Sequence, residues 1–322
     1  MTDRPPQDYA DPLLSFNEPL IPTAPPGFKS GFVGIIGRPN VGKSTLMNRL
    51  VGQKIAITSP VAQTTRNRLR GILTTPEAQI IFVDTPGIHK PHHQLGEVLV
   101  KNAQIAIDSV DVVLFVVDGS VPAGRGDRYV AELIGRTDTP VILGLNKIDQ
   151  QPEQAESIDQ SYLEIAQEQN WAVIKFSALT GEGQTTLQAQ LNDALAPGPY
   201  YYPPNLVTDQ PERFIMGELI REQILLHTRE EVPHSVAIGI DRVEEAPDIT
   251  RILATIHVER SSQKGILIGK GGQMLKTIGS DARQQIQKLI MGKVYLELFV
   301  KVQPKWRQSR LHLAEFGYRV EE

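Results

Sequence analysis

The sequence of 322 residues contains no cysteine, which excludes a disulfide scaffold, a thiolate metal site and a cysteine nucleophile. Long hydrophobic runs are also missing: VVLFVV at 112–117 is typical, whereas a membrane-spanning helix needs about 18 apolar residues or more. Hydrophobic residues nevertheless make up 40% of the chain and charged residues 22%, which suits folded domains rather than a disordered or fibrous protein. At this length we expect two domains.

The first 28 residues contain seven prolines and show neither helical nor strand periodicity. A Pro-rich, polar segment of this kind does not bury enough apolar surface to fold alone. We therefore predict a disordered tail over residues 1–28.

From residue 29 onward, short apolar runs alternate with segments long enough to be helices. Runs that are apolar at consecutive positions are typical of strands buried on both faces of a parallel sheet. The runs are Phe32–Gly37, Ile80–Asp84, Val112–Asp118, Val141–Asn146 and Ala172–Ser177. They predict an α/β domain over residues 29–196 with a mostly parallel, doubly wound sheet.

A second domain follows a Pro/Gly-rich break, APGPYYYPPN, which predicts a linker over residues 197–208. The pattern beyond it predicts a helix at Glu212–His227, two strands, a Gly-rich turn, a helix at Gln273–Ile290, a third strand and a C-terminal helix. Residues 209–322 are thus expected to form a small α+β domain.

Charge is unevenly spread over this second domain, although the whole chain has a net charge of −4. Residues 209–259 hold eleven acids against five bases, whereas residues 260–310 hold eleven Lys or Arg against two acids, a balance of +9. The basic stretch is either an ordinary solvated surface or a face that binds a polyanion.

GRPNVGKS, from Gly37 to Ser44, matches the pattern G-x-x-x-x-G-K-[ST] between a buried strand and a helix. Its backbone N–H groups can wrap phosphates, with the helix N-terminus behind them. Lys43 is expected to bridge the β- and γ-phosphates and Ser44 to bind Mg²⁺. The predicted phosphate-binding residues are Gly37, Asn40, Val41, Gly42, Lys43, Ser44 and Thr45.

DTPG at 84–87 ends the next long apolar strand and predicts a switch element. Asp84 can hold the Mg²⁺ shell and the N–H of Gly87 can sense the γ-phosphate. A first switch is expected at Thr64 or Thr65, of which we favour Thr65; an ordinary exposed loop is the alternative. The predicted catalytic residues are Lys43, Thr65, Asp84 and Gly87, and the predicted Mg²⁺ ligands are Ser44, Thr65 and Asp84.

NKID at 146–149 indicates which base is bound. The Asp149 carboxylate can accept hydrogen bonds from guanine N1–H and its exocyclic amine, a donor pair that adenine lacks, so GTP is the expected ligand. Asn146 and Lys147 complete this motif. The turn formed by Ser177, Ala178 and Leu179 is expected to offer a backbone N–H to the guanine oxygen.

Ile88 follows DTPG where many GTPases place a glutamine that orients the attacking water. An isoleucine cannot orient water, so we expect slow intrinsic hydrolysis that a partner or a monovalent ion accelerates. Asn40 resembles the residue of potassium-dependent GTPases of this class, and K⁺ is therefore a candidate cofactor beside Mg²⁺; a solvated loop asparagine is the alternative.

GKGG lies between two helical stretches inside the basic region, where a plain helix-connecting turn is the alternative. The order helix–strand–strand–helix–GKGG–helix–strand resembles a type II KH domain, whose G-x-x-G loop clamps about four nucleotides of single-stranded nucleic acid. The predicted RNA-binding residues are Ile268, Gly269, Lys270, Gly271, Gly272 and Lys276.

Taken together, these residues resemble the Era family of GTPases, in which a P-loop GTPase domain precedes a type II KH domain. The nucleotide motifs, GIHKPHHQLGEVLVKNA at 87–103, FIMGELIREQILLHTREEVPHSVAI and ILIGKGGQMLKTIG carry the resemblance. It covers residues 28 to 318 and leaves the Pro-rich tail outside.

The resemblance implies a bacterial, cytoplasmic GTPase, and some members of the family also associate peripherally with the cytoplasmic face of the inner membrane. We expect a monomer. It further implies binding to the 3′ end of 16S rRNA during assembly of the 30S ribosomal subunit. Residue patterns alone reach a GTP-switched RNA binder. The alternative is an RNA-binding assembly factor whose nucleotide site is mainly structural.

Overall fold

The structure, a computed structural model, describes residues 21–59, 69–85, 87–88, 104–105, 107–229, 232–233, 235–290, 292–309, 311–312 and 316. Thr64, Thr65, most of the segment at 87–103 and most of the predicted C-terminal helix lie outside these ranges. In the described ranges, no helix is long and apolar enough to cross a membrane.

The first domain alternates strands and helices, as the runs of apolar residues predict. Its elements are β1 (Lys29–Ile36), α1 (Lys43–Val51), β2 (Leu69–Thr74), β3 (Ala78–Asp84), β4 (Val112–Asp118), α2 (Arg125–Ile134), β5 (Val141–Asn146), α3 (Glu156–Gln169), β6 (Ala172–Lys175) and α4 (Gln184–Ala194). The sheet order is β2-β3-β1-β4-β5-β6. All neighbouring pairs are parallel except β2 with β3.

The central strands are buried on both faces, which is why their sequences lack alternation. In β4, Leu114 packs in one apolar cluster with residues of α1 and α4, whereas the adjacent Phe115 packs in a second cluster with residues of α2 and α3. This confirms a doubly wound sheet, and it brings the carboxyl ends of β1, β3, β4 and β5 to one edge where ligands of such sheets bind.

The second domain follows the predicted order and confirms the KH-like arrangement. Its elements are α5 (Glu212–His227), β7 (Ala237–Ala246), β8 (Ile249–Val258), α6 (Ser261–Ile268), α7 (Gln273–Ile286) and β9 (Lys293–Val302). The sheet order is β7-β8-β9, with β7 antiparallel and β9 parallel to β8. Helix α7 ends four residues before the predicted Ile290.

The Pro/Gly-rich segment at 197–208 is fastened to the first sheet rather than held away from it. The Gln79 side chain accepts hydrogen bonds from the N–H groups of Tyr201 and Tyr202 and donates a hydrogen bond to the Tyr202 carbonyl. Further along, the Ile72 N–H donates to the Val207 carbonyl at 2.8 Å. Near the start of this segment, the Tyr200 ring packs against Phe28, which is buried. Phe28 is the last residue of the predicted tail at 1–28, so folded contacts begin inside that tail.

Glu222 of α5 links the second domain to the first. Its carboxylate is almost wholly buried and lies 2.5 Å from the Lys54 ammonium, and it also accepts the Thr58 N–H at 2.8 Å. Lys54 and Thr58 lie between α1 and the undescribed segment at 60–68. The KH-like domain therefore contacts the chain shortly before the predicted first switch.

Candidate functional site

The loop from β1 to α1 is shaped by two glycines that no other residue can replace without a clash. A Cβ on Gly37 would lie 2.2 Å from the Val116 carbonyl oxygen, and one on Gly42 would lie 2.2 Å from Asn146 Nδ2. Gly42 also has φ near 100°, which favours glycine. The loop thus turns tightly at the carboxyl end of β1 and enters α1 with its backbone against the other nucleotide motifs.

Lys43 is held inside this loop by backbone carbonyls. Its Nζ donates to Gly37 O at 3.2 Å and to Arg38 O at 2.9 Å, and the side chain is buried. Burial lowers the pKa of Lys43 to about 8, while the nearby Asp84 carboxylate opposes the shift. A phosphate group bound in the loop would add negative charge beside this ammonium and restore its ordinary pKa.

Ser44 and Asp84 meet as the sequence predicts, although 40 residues separate them. Ser44 Oγ donates to Asp84 Oδ2 at 2.9 Å, and Asp84 is fully buried at the end of β3. A hydroxyl and a carboxylate are hard oxygen donors of the kind Mg²⁺ prefers. The pair therefore fits a magnesium ion; Thr65, the third predicted ligand, lies outside the described residues.

The residues after Asp84 return to the phosphate loop. A Cβ on Gly87 would lie 2.6 Å from Pro39 N, and the Ile88 N–H donates to Gly37 O at 3.1 Å. The Ile88 side chain is buried. Gly87 thus lies against the loop that is predicted to hold the phosphates.

Asn146 joins three motifs that are far apart in the sequence. Its Nδ2 donates to Val41 O at 2.7 Å, and its Oδ1 accepts the Ala178 N–H at 2.8 Å. Val41 therefore contributes through its backbone while its side chain is buried. Asn146 thus holds the backbone of the turn at 177–179, which is expected to offer an N–H to the guanine oxygen.

Asp149 and the turn at 177–179 lie side by side. Ser177 Oγ donates to Asp149 Oδ1 at 2.5 Å, which fixes the carboxylate. Asp149 itself is exposed, and the Leu179 side chain is 66% exposed. The turn is thus open to solvent on the side where a base is expected.

Asp118 positions Lys147, and sequence analysis missed it. Lys147 adopts a left-handed backbone conformation with φ near 66°, and its Nζ lies 2.5 Å from Asp118 Oδ2. Burial opposes ionisation of Asp118, but hydrogen bonds from Lys147 and Ser120 hold its pKa below the ordinary value. The available signal was that Asp118 ends the strand next to the one that ends at Asn146.

Arg49 is a second contributor that sequence analysis missed. From the end of α1, its guanidinium donates to the Leu179 carbonyl and, at 3.4 Å, to the Ala178 carbonyl. It ties the turn to the helix that follows the phosphate loop. Nothing in the local sequence indicated this contact, since 129 residues separate Arg49 from Ala178.

Asn40 and Thr45 complete the predicted phosphate-binding set. Asn40 is exposed, with φ near 64°, at the tip of the loop. Thr45 lies in the first turn of α1 and is partly buried. The structure thus brings the described nucleotide residues of the prediction together at one edge of the sheet.

The GKGG loop connects α6 to α7 and depends on three glycines with positive φ. Gly269, Gly271 and Gly272 have φ near 70°, 59° and 79°. A Cβ on Gly269 would lie 2.7 Å from Met274 Cβ, whereas Gly271 and Gly272 have open space around them. The backbone of a bound polymer can therefore approach closely at Gly271 and Gly272.

The loop is electropositive. Lys270 and Lys276 are both exposed, and Ile268 is partly exposed at the end of α6. Helix α7 begins directly after the loop at Gln273 and has no acidic residue in its first turn, so its positive dipole end also faces this region. The arrangement suits a phosphodiester backbone.

Comparisons with known proteins match both domains. Family models described as "50S ribosome-binding GTPase" and "KH domain" match residues 32–147 and 231–307. The curated GTPase Era of Nostoc sp. (strain PCC 7120) is 77% identical over 305 residues, covering 95% of this chain and 94% of that protein.

Two solved structures superimpose on most of the chain, each with a TM-score of 0.85 and 39% identity. One is an Aquifex aeolicus Era variant bound to GDP·AlF₄⁻, and the other is an Era in complex with MgGDPNP and nucleotides 1506–1542 of 16S ribosomal RNA. Each superposition covers 91% of this chain and 100% of the solved chain.

Proposed function

The chain belongs to the Era family of GTPases and hydrolyses GTP, and from that premise we propose that it is a GTP-controlled RNA-binding factor in assembly of the small ribosomal subunit. The observation that carries the proposal is the exposed, basic GKGG loop on a KH domain. That domain contacts the GTPase domain through Glu222. The RNA that we propose is the 3′ end of 16S rRNA, because a solved Era holds nucleotides 1506–1542 of that molecule.

Guanine selection is assigned to Asp149, which Ser177 holds in place at 2.5 Å. Asn146 couples this base site to the phosphate loop through Val41, and Lys147 is held by Asp118. A base that cannot donate two hydrogen bonds to Asp149 leaves that carboxylate desolvated and unpaired, which is costly.

Phosphate binding is assigned to the 37–45 loop and Lys43. We assign Ser44 and Asp84 to Mg²⁺, in keeping with the MgGDPNP held by the solved Era; when bound, this ion would neutralise charge on the phosphates. Ile88 offers no polar group to orient a water molecule, so we propose that intrinsic hydrolysis is slow.

We further propose that K⁺ acts at Asn40. An Asn40→Asp variant whose GTPase rate still responds to K⁺ would contradict this.

The experiment is capture of RNA from cell lysate by the purified protein, followed by sequencing. It compares the protein loaded with a non-hydrolysable GTP analogue and with GDP, and uses Lys270→Asp/Gly271→Asp as the loop control. We expect enrichment of the 3′ end of 16S rRNA with the GTP analogue, and loss of that enrichment in the loop variant.

Two outcomes would change the proposal. Equal enrichment with GTP analogue and GDP would remove the switch and favour the alternative, in which the nucleotide site is mainly structural, because a ligand shifts an equilibrium only by its differential affinity for the two states. No enrichment in either state would overturn RNA binding and leave the GTPase alone.

A further inference from the structure

The KH-domain sheet has an outer face, on the side opposite its helices, that belongs to neither of the two sites described above. Strand β9 is an edge strand of this sheet, and its odd-numbered residues 293–301 are all exposed. The even-numbered side faces the helices: a Cβ on Gly279 of α7 would lie 3.4 Å from Leu298 Cδ1. The odd-numbered side chains therefore point away from α6, α7 and the GKGG loop that joins them.

This outer face carries two exposed aromatic rings. Tyr295 is 47% exposed and Phe299 is 49% exposed. They are four positions apart along the strand, a span of about 13 Å. Because both rings are half exposed on one strand face, they are available to contact a partner.

Cations lie around the two rings. Lys293 and Lys301 are exposed on the same face of β9, and Arg251 of β8, opposite Tyr295 in the register, places its guanidinium carbon 5.5 Å from the Tyr295 ring centroid. Glu297, between the rings, is one of only two acids in the sequence from 260 to 310. On β9 itself, positive charge is at the two ends, with the rings and one carboxylate between them. Two more carboxylates lie on β7 beside the patch: Asp241 accepts a hydrogen bond from Thr255, which is opposite Phe299 in the register, and Glu244 is opposite Arg251.

We propose that this face, defined by Arg251, Lys293, Tyr295, Phe299 and Lys301, is a second binding surface for single-stranded RNA. Aromatic rings on a sheet stack with unpaired bases, and flanking Lys and Arg side chains neutralise the phosphates. The Glu297 carboxylate then faces the bases, where it can accept a hydrogen bond from an exocyclic amine of cytosine. This inference rests on the proposed RNA-binding function.

The patch is separate from the GKGG loop, so the two surfaces would hold different nucleotides of one strand. Beside the Lys301 end of the patch, the neighbouring strand β8 is covered: the Phe316 ring lies 4.3 Å from the ring of His257, which is opposite Lys301 in the register. RNA leaving the loop is therefore expected to reach the outer face around the exposed edge of β9.

The test compares two RNA lengths. An oligonucleotide of about five nucleotides fills the G-x-x-G loop alone, whereas one of about fifteen nucleotides, from the 3′ end of 16S rRNA, can reach both surfaces. In a Tyr295→Thr/Phe299→Thr variant, which keeps strand propensity, we expect affinity for the long oligonucleotide to fall at least about tenfold and affinity for the short one to stay unchanged. Ultraviolet cross-links of the long RNA should map to residues 293–301 and disappear in the variant.

The controls separate this inference from the proposed function. Tyr201→Thr removes an aromatic ring of similar exposure, 44%, outside the patch and should leave both affinities unchanged, while Gly271→Asp should weaken both. If the double variant binds the long RNA as the wild type does, the second surface is wrong even though the loop is right. If it instead abolishes self-association in sedimentation with RNA affinity unchanged, the face is a protein interface, and if no RNA binds the wild type both proposals fall.

Discussion

The nucleotide site and the GKGG loop are built in opposite ways. Asn146 reaches Val41, 105 residues earlier in the chain, and Ser44 reaches Asp84, 40 residues later, so the nucleotide site exists only when the whole sheet has formed. The GKGG loop instead depends on three glycines with positive φ within four residues. The first suits a small ligand of fixed shape, since preorganised groups lose little entropy on binding, and the second suits a flexible polymer.

The largest effect that tests this comparison is expected at Asp149. Asp149→Asn should weaken GTP binding about 10³-fold or more and favour xanthosine triphosphate, because an amide can donate to the xanthine carbonyl. Competition between the two nucleotides measures it. Ser177→Ala, which removes only the hydrogen bond that fixes the carboxylate, should lower affinity but keep the preference for guanine; a guanine preference that survives in Asp149→Asn would refute the assignment.

The next effect concerns the local character of the loop. Gly271→Asp should lower RNA affinity by about 10²-fold at low salt, with a smaller loss at high salt, because a phosphate-contacting site is screened by ions. GTP affinity should not change. Gly52→Asp is the matched control, since Gly52 also has positive φ and open space around it but lies in the GTPase domain; equal losses of RNA affinity in the two variants would contradict the loop assignment.

A smaller effect should appear in the pH dependence of nucleotide binding. The pKa of Lys43 is lowered to about 8 by burial, and phosphate should raise it, so binding takes up a proton above pH 8. Affinity for GDP should then fall as pH rises above 8, by up to about tenfold per pH unit. The number of protons taken up on binding is measured by calorimetry in buffers of different ionisation enthalpy. The pH of that experiment should lie about half a unit above the pKa of Lys43.

The same pKa predicts the sign of a stability change. Without nucleotide, the folded pKa lies below the unfolded value, so unfolding takes up a proton between about pH 8 and 10.5 and the free energy of unfolding rises with pH in that window. Lys43→Met should abolish both effects. Proton uptake that persists in this variant would assign the effect to another group.

The smallest effect tests whether the two regions are independent at all. Glu222→Gln removes the charge that pairs with Lys54 and should lower the free energy of unfolding by about 1–2 kcal/mol. It should also reduce the ratio of RNA affinities with GTP analogue and GDP. Glu164→Gln, whose partner Arg128 is exposed and 3.9 Å away, should cost less than about 0.5 kcal/mol; equal effects would mean that Glu222 does not couple the domains.

Sequence analysis predicted the elements whose signals are local. The buried strands appeared as continuous apolar runs, and GKGG was recognisable within a few residues. Strand β2 was missed because LRGILT carries an arginine and a glycine and lies antiparallel at the sheet edge, where burial on both faces is not required. Arg49 and Asp118 were missed for a different reason: each acts on a segment that only the folded sheet brings near, 129 and 29 positions away.

Gln79 has a consequence for how the two binding sites communicate. A free linker of this length would be a tether, and the KH domain would meet the GTPase domain at an effective concentration set by polymer statistics. The Gln79 side chain donates one hydrogen bond to the segment at 197–208 and accepts two from it, and the Ile72 N–H donates to the Val207 carbonyl. These bonds instead make the segment part of the scaffold. The two domains are then joined by a spacer that is fixed to the edge of the first sheet, and not by a flexible tether.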